Sequence, residues 1–208
     1  MKWIYVLYVL LMMAFTATLC LICCFDWTKT DTRFRFKQIL DMFVSLFIYI
    51  FLVFSHYVSL YQSKLFFWCS IITSVFTFSV LFGSYLKQIA FFSRIPDTNI
   101  RGKNFVYILA SLFFTLVSAG SILNYASYMV WPDFYNVPES MDFAEIAFEF
   151  FYYTFTLMIT YSGTSIDAVH LISKIMQIVE ICVFYVFFGV SFMDLVVKAK
   201  NAVGFSHE

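Results

Sequence analysis

Charged residues are scarce in this chain of 208 residues, where Asp, Glu, Lys and Arg together account for 12% of the sequence and hydrophobic residues for 62%. This balance excludes an ordinary soluble domain, in which about a quarter of the residues are charged. The 13 basic and 13 acidic side chains also cancel. Because a neutral chain lacks the basic character typical of nucleic-acid binding, we expect no nucleic-acid partner.

Cysteines are few and do not form a disulfide pattern. All five lie in apolar segments, and an odd number of such cysteines does not fit an extracellular disulfide framework. Cys20 and Cys23 form a Cys-x-x-Cys pair, which leaves open a membrane thiol oxidoreductase, but their apolar neighbours and the lack of a second pair favour packed thiols. We therefore predict a protein that is not an enzyme and that uses no cofactor or metal.

Long apolar runs dominate the sequence. Each run is long enough to cross the roughly 30 Å hydrocarbon core of a bilayer as a helix. The first has the outline of a secretory signal, but its length favours a membrane span. We predict an all-α integral membrane protein with five transmembrane helices. The predicted spans are residues 1–24, 38–61, 65–86, 104–130 and 171–197.

Between the last two runs lies a shorter amphipathic helix, predicted over residues 143–158, and a polar turn that contains Gly163. The order suggests a chain that enters the membrane, stops partway, turns back and continues into a spanning helix. Irregular backbone at bilayer depth is tolerated only where it is buried in protein or lines water. A re-entrant pore loop is the simplest explanation of this pattern.

The same region resembles the pore module of the tetrameric potassium-channel superfamily. Residues 150–166 read FFYYTFTLMITYSGTSI and residues 174–181 read KIMQIVEI. In that family an aromatic pore helix is followed by a T-V-G-Y-G-D filter, an Ile and a Lys-capped inner helix. Ile166 and Lys174 match the last two features. The filter positions are occupied by Thr160, Tyr161, Ser162, Gly163, Thr164 and Ser165.

The resemblance implies a homotetramer in the cell membrane that conducts monovalent cations passively. Two filter glycines are replaced here by Ser162 and Thr164, whose β-carbons disfavour the left-handed backbone that such a filter needs. We therefore expect a wider or shorter filter, in which ions keep part of their water and K⁺ and Na⁺ are weakly distinguished. Permeant cations are the only ligands expected, besides lipid. An accessory protein is left open.

Acidic residues surround the predicted pore entrance. Asp142, Glu145 and Glu149 share one side of the pore helix because they are spaced by three and four residues, and Asp167 follows the filter. A ring of such side chains would concentrate cations in an outer vestibule. For Asp142 an equally good interpretation is that it stabilises the positive start of the helix.

The last helix contains four residues that are candidates for a gate or hinge. Glu180 lies in an apolar run and needs a partner in the membrane; it either lines a cavity or bonds to a Tyr or Thr on the back of the pore helix. Phe184 and Phe188 form a hydrophobic gate or pack against neighbours. Gly189 is either a hinge or a point of close packing.

The distribution of Lys and Arg predicts the orientation. Cytoplasmic loops carry an excess of basic residues, so the connections 26–37 and 87–103 belong inside. The N-terminus and the pore loop then lie outside and the C-terminus is cytoplasmic, which leaves only Lys2, Lys64 and Lys174 of the 13 basic residues outside. The first three helices carry no arginines at three-residue intervals, which argues against a voltage sensor.

These predictions divide the chain into three parts: a three-helix region (1–103), a pore module (104–200) and a cytoplasmic tail (201–208). The predicted function is a weakly selective monovalent cation channel. Two alternatives belong to other classes. One is a non-conducting scaffold or accessory subunit that keeps the pore fold, and the other is the thiol oxidoreductase.

Overall fold

The structure is a computed structural model and describes residues 31–61, 103–159 and 163–204, together with single helical positions at 68, 72 and 79. The predicted first span, 1–24, and its Cys20–Cys23 pair lie outside the described residues. So does most of the predicted third span, 65–86.

The described chain is mostly helical, as predicted. Three of its helices are long and apolar enough to cross a membrane, over Arg35–Val58, Val106–Val130 and Leu171–Val190. The elements in chain order are α1 (Asp31–Tyr61), α2 (Lys103–Val130), a 3₁₀ turn (Pro132–Phe134), β1 (Tyr135–Asn136), α3 (Phe143–Met158), β2 (Asp167–Ala168) and α4 (Leu171–Gly204).

Helix boundaries agree with the prediction where local signals are strong. The bounds of α3 coincide with the predicted short helix, and α2 starts one residue before its predicted position. Helix α1, however, begins at Asp31 instead of at 38, so part of the basic connection is helical. Lys and Arg are good helix formers, and the ammonium of Lys37 lies 3.1 Å from a carboxylate oxygen of Asp41 one turn later.

Helix α1 packs along α2, and both contact α3 through aromatic side chains. The hydroxyl of Tyr49 on α1 donates a hydrogen bond to the carbonyl of Ala147 on α3. Near the end of α1, the ring of His56 lies 5.4 Å from that of Phe143, the first residue of α3. The end of α1 and the start of α3 therefore lie at the same end of the bundle.

A small two-stranded sheet joins the chain that enters α3 to the chain that leaves it. Tyr135 pairs with Ala168 and Asn136 with Asp167 in antiparallel register. The hydroxyl of Ser173, at the start of α4, also donates to the carbonyl of Phe134 at 2.8 Å. Helix α3 and the loop after it thus form a hairpin that departs from, and returns to, the same end of the bundle.

The start of α3 is closed by a capping box. The Asp142 carboxylate accepts from the Glu145 amide at 2.8 Å, and the Glu145 carboxylate accepts from the Asp142 amide at 2.9 Å. The two side chains thereby satisfy backbone donors that have no partner within the helix. This finding supports the interpretation of Asp142 as a residue that stabilises the start of the helix.

We expect Asp142→Ala to lower the free energy of unfolding by about 1 kcal/mol, because the first turn of α3 loses its cap. Asn also caps helices well, so Asp142→Asn should retain most of the stability. Thermal unfolding of the two variants in the same detergent provides the measurement. Equal stability of the two would show that the capping box does not hold the start of α3.

Candidate functional site

The loop after α3 is the predicted filter. Thr160, Tyr161 and Ser162 lie outside the described residues. Beyond them, Gly163 and Ser165 are exposed, Thr164 is half-buried and Ile166 is fully buried. Ile166 belongs to the aromatic core around Phe150. The described part of the loop therefore ends at a residue that is anchored in the core.

One hydrogen bond joins the described part of this loop to α3, and a second lies within the loop. The Ser165 amide donates to a carboxylate oxygen of Glu149 at 2.7 Å. The Thr164 hydroxyl donates to the Ile166 carbonyl at 2.9 Å. Glu149, predicted as a vestibule acid, is half-buried and bound to the loop backbone. It is a positioning residue for the loop, whereas Asp142, Glu145 and Asp167 are exposed.

Variants of Glu149 separate its hydrogen bond from its charge. Glu149→Ala removes the acceptor for the Ser165 amide and should cost about 1 kcal/mol of loop stability, whereas Glu149→Gln keeps a carbonyl acceptor. We expect limited proteolysis to cut the loop faster in the Ala variant than in the Gln variant, which should resemble the unchanged protein. Equally fast cleavage of both variants would assign the effect to the charge instead.

Behind α3 lies a buried polar cluster that joins four elements. Asn124 of α2 is fully buried at its centre. Its side-chain oxygen accepts from the Tyr135 hydroxyl at 2.8 Å. Its amide nitrogen donates to a carboxylate oxygen of Glu180 at 2.9 Å and to the Thr154 hydroxyl at 3.2 Å. One amide therefore ties β1, α3 and α4 to α2.

Further contacts surround this cluster. The Thr154 hydroxyl donates to the Phe150 carbonyl at 3.1 Å, and the Gln177 amide of α4 donates to the hydroxyl of Tyr153. The rings of Tyr135 and Tyr153 meet edge to face at 6.2 Å. Burial raises the pKa of Tyr135, so the Tyr135 hydroxyl keeps its proton at physiological pH.

Gly120 allows this cluster to form. A β-carbon at this position would lie 2.6 Å from the Thr154 methyl carbon and 3.5 Å from a carboxylate oxygen of Glu180. Small residues let membrane helices approach closely, and here the glycine lets α2 approach both α3 and α4. Gly120 is not among the site residues predicted from the sequence.

The aromatic candidates of α4 pack within the protomer. Phe184 is buried, and its ring stacks on that of Phe188 at 5.2 Å and meets Phe113 of α2 edge to face at 5.9 Å. Phe188 is half-buried and also lies against Phe113. A β-carbon added to Gly189 would meet no atom within 4 Å. Among the described residues, Gly189 is therefore not a point of close packing.

Sequence reasoning identified Glu180 but missed its partner. One predicted partner is a Tyr or Thr of the short helix α3, whereas the structure shows Asn124 between Glu180 and Thr154. A signal was available, because an Asn inside an apolar span requires a partner as a Glu does. In the described ranges, no group of three or more His, Cys, Asp or Glu residues is placed to hold a metal ion.

No protein-family model, curated protein or solved structure matches this chain. The fold itself, with its three candidate spans, defines a helical, membrane-compatible protein. Its distinguishing features are a short capped helix between two candidate spans, a loop bound back onto that helix, and a buried polar cluster behind it.

Proposed function

We propose that this chain is the subunit of a homotetrameric channel that conducts K⁺ and Na⁺ passively and distinguishes them weakly. The observation that carries the proposal is the hairpin made by α3 and its loop. At 16 residues, α3 extends about 24 Å, too short to cross the hydrocarbon core. It lies between two candidate spans and contacts both.

The loop after α3 supports this proposal by its construction. Ser165 and Ile166 are held by Glu149 and by the aromatic core, while Gly163 is exposed. Backbone carbonyls and hydroxyls of residues 160–165 would supply the oxygens that replace part of an ion's hydration shell. Four copies around an axis would form a closed ring of such oxygens. No covalent chemistry, cofactor or resident metal is required.

The surface of α4 is compatible with assembly in a membrane. Little of its candidate span is buried against the other described residues, although its composition is strongly apolar. In the proposed tetramer this surface is divided between lipid and neighbouring copies. Its exposed apolar residues include Leu171, Ile172, Ile175, Ile178, Val179, Val186 and Val190.

The distribution of charged residues supports a position of the loop after α3 on the outer side of the membrane. With the basic connections in the cytoplasm, five spans place the N-terminus outside and the C-terminus inside. The start of α3 lies beside the end of α1, near His56, which the same topology also assigns to the outside. The exposed acids Asp142, Glu145 and Asp167 then surround the entrance and favour cations over anions.

One observation favours a non-conducting scaffold as the second candidate. Thr164, at a glycine position of the resembled filter, closes its hydroxyl onto the Ile166 carbonyl. A loop fixed in this way is consistent with a purely structural role. The oxidoreductase alternative rests on Cys20 and Cys23, which lie outside the described residues. If these thiols do not react with an alkylating reagent under native conditions, this alternative is excluded.

A measurement of ion flux distinguishes the proposed channel from the proposed scaffold. Proteoliposomes loaded with K⁺ are diluted into Na⁺ or into an impermeant cation, and the loss of K⁺ is followed over time. We expect K⁺ to exchange for Na⁺ but to be retained against the impermeant cation, where a charge imbalance stops the flux. Retention of K⁺ in both solutions by well-folded tetramers would favour the scaffold.

A further inference from the structure

Glu180 lies where α2, α3 and α4 meet, and its surroundings are neutral. One carboxylate oxygen accepts from Asn124, while the other is buried and has no hydrogen-bond partner among the described residues. It forms no ion pair in that part of the chain, and Lys174 on the same helix is exposed. An ionised carboxylate held by one neutral donor inside a bilayer is strongly disfavoured.

The geometry also disfavours a metal cation as the balancing charge. Asn124 presents its NH₂ group, a donor, to the carboxylate and to Thr154, and a donor repels a cation at the same place. The backbone of Gly120 approaches the same carboxylate oxygen that accepts from Asn124, since a β-carbon on Gly120 would be in van der Waals contact with that oxygen at 3.5 Å. Among the described residues, no second carboxylate joins Glu180 to supply the additional oxygen ligands that hard cations require.

We propose that Glu180 is a proton-binding site within the membrane, and that the folded protein holds it as a neutral carboxylic acid at neutral pH. The bound proton allows α4 to stay packed on α2 and α3. Release of the proton at alkaline pH places an unpaired negative charge between these helices and loosens α4 from the pore helix. Glu180 is thus a site of proton regulation behind the pore rather than a charge that lines it.

The groups that face Glu180 are consistent with this assignment. Asn124 of α2 and Thr154 of α3 cannot titrate. The titratable groups are the hydroxyls of Tyr135 on β1 and Tyr153 on α3, and the latter is also influenced by Asp167 of β2. None of them is a base that could take the proton from Glu180, so the carboxyl group is the member of the cluster that responds to pH.

Infrared difference spectroscopy of the full chain in lipid vesicles tests the site without relying on conduction. At neutral pH, the unchanged protein should show the C=O stretch of a protonated carboxylic acid. Glu180→Gln should remove that band, and raising the pH should convert it to a carboxylate band. Glu139→Gln, which replaces an exposed acid, should leave the acid band intact. If Glu180→Gln does not fold, Glu180→Asp is used instead. It should shift the acid C=O band and thereby assign the band to residue 180.

Loss of only a carboxylate band in Glu180→Gln at neutral pH would overturn the proposal. A second experiment rests on the proposed function. The K⁺ flux through the unchanged protein should fall as the pH rises, and the flux through the Glu180→Gln variant should not depend on pH in this way. Flux that falls equally in both proteins would contradict the regulatory role. An acid band without any flux would leave the proton site established and would refute only the channel.

Discussion

Replacing Gly163 with tryptophan is expected to reduce cation flux to the level of protein-free liposomes. Gly163 is exposed in the loop that follows α3, and the proposed assembly brings four copies of this position around one axis. A bulky side chain from each copy would obstruct the ion path. Flux assays on the purified variant, after its helical content and oligomeric state are checked, provide the measurement.

Val169→Trp is the matched control for this variant. Val169 is an exposed apolar residue a few positions further along, beyond β2 and outside the predicted filter. The variant places the same tryptophan side chain outside the proposed path, so flux should persist. Full flux through the Gly163→Trp variant, or equal loss in both variants, would show that residues 160–165 are not the filter.

Gly120→Ala in α2 is expected to destabilise the protein more than the same substitution at Gly189 in α4. The new methyl group would lie 2.6 Å from the Thr154 methyl carbon and 3.4 Å from Met158. Helix α3 must shift to relieve this contact. Overpacking of this kind typically costs about 1–3 kcal/mol. Denaturation in detergent measures the change, and the displaced pore helix should also lower the flux.

Gly189→Ala provides the control, because the added carbon would meet no atom of the described residues within 4 Å. Removing a glycine from a helix interior is worth up to about 1 kcal/mol, so this variant should be slightly more stable than the unchanged protein. If both glycine variants lost equal stability, the close approach of α2 to α3 would not be the reason.

The elements that could be predicted from the sequence are those with local signals. The bounds of α3 follow from an acidic cap at Asp142, its partner Glu145 and an apolar pattern with a helical period. The hydropathy pattern predicted the bounds of α2 to within one residue. Hydropathy failed at the start of α1, because charged residues that favour helices continue the helix beyond its apolar part.

Long-range contacts could not be predicted in the same way. Strands β1 and β2 have two residues each, too few to show an alternating pattern. Glu149 was assigned to the vestibule because its helical spacing places it with other acids. Its bond to the Ser165 amide depends on how the loop folds back, and no spacing rule specifies this.

The contacts of the buried polar cluster could not be predicted from the sequence either. The sequence showed that Glu180 requires a polar partner, but the partner could be chosen only once the rotation of α2 about its axis was known. Asn124 and Glu180 are far apart in the chain and come together only in the folded bundle. Gly120 on the same helix creates the space in which they meet.

Single-channel recording in a planar lipid bilayer tests the central claim most directly. With the purified protein in a gradient of KCl, we expect discrete current steps whose reversal potential lies near the equilibrium potential of the cation. With K⁺ on one side and Na⁺ on the other, the reversal potential should lie close to zero, because the two ions are weakly distinguished. Reversal at the chloride potential, or no current from folded tetramers over a range of voltage and pH, would contradict the proposed cation channel.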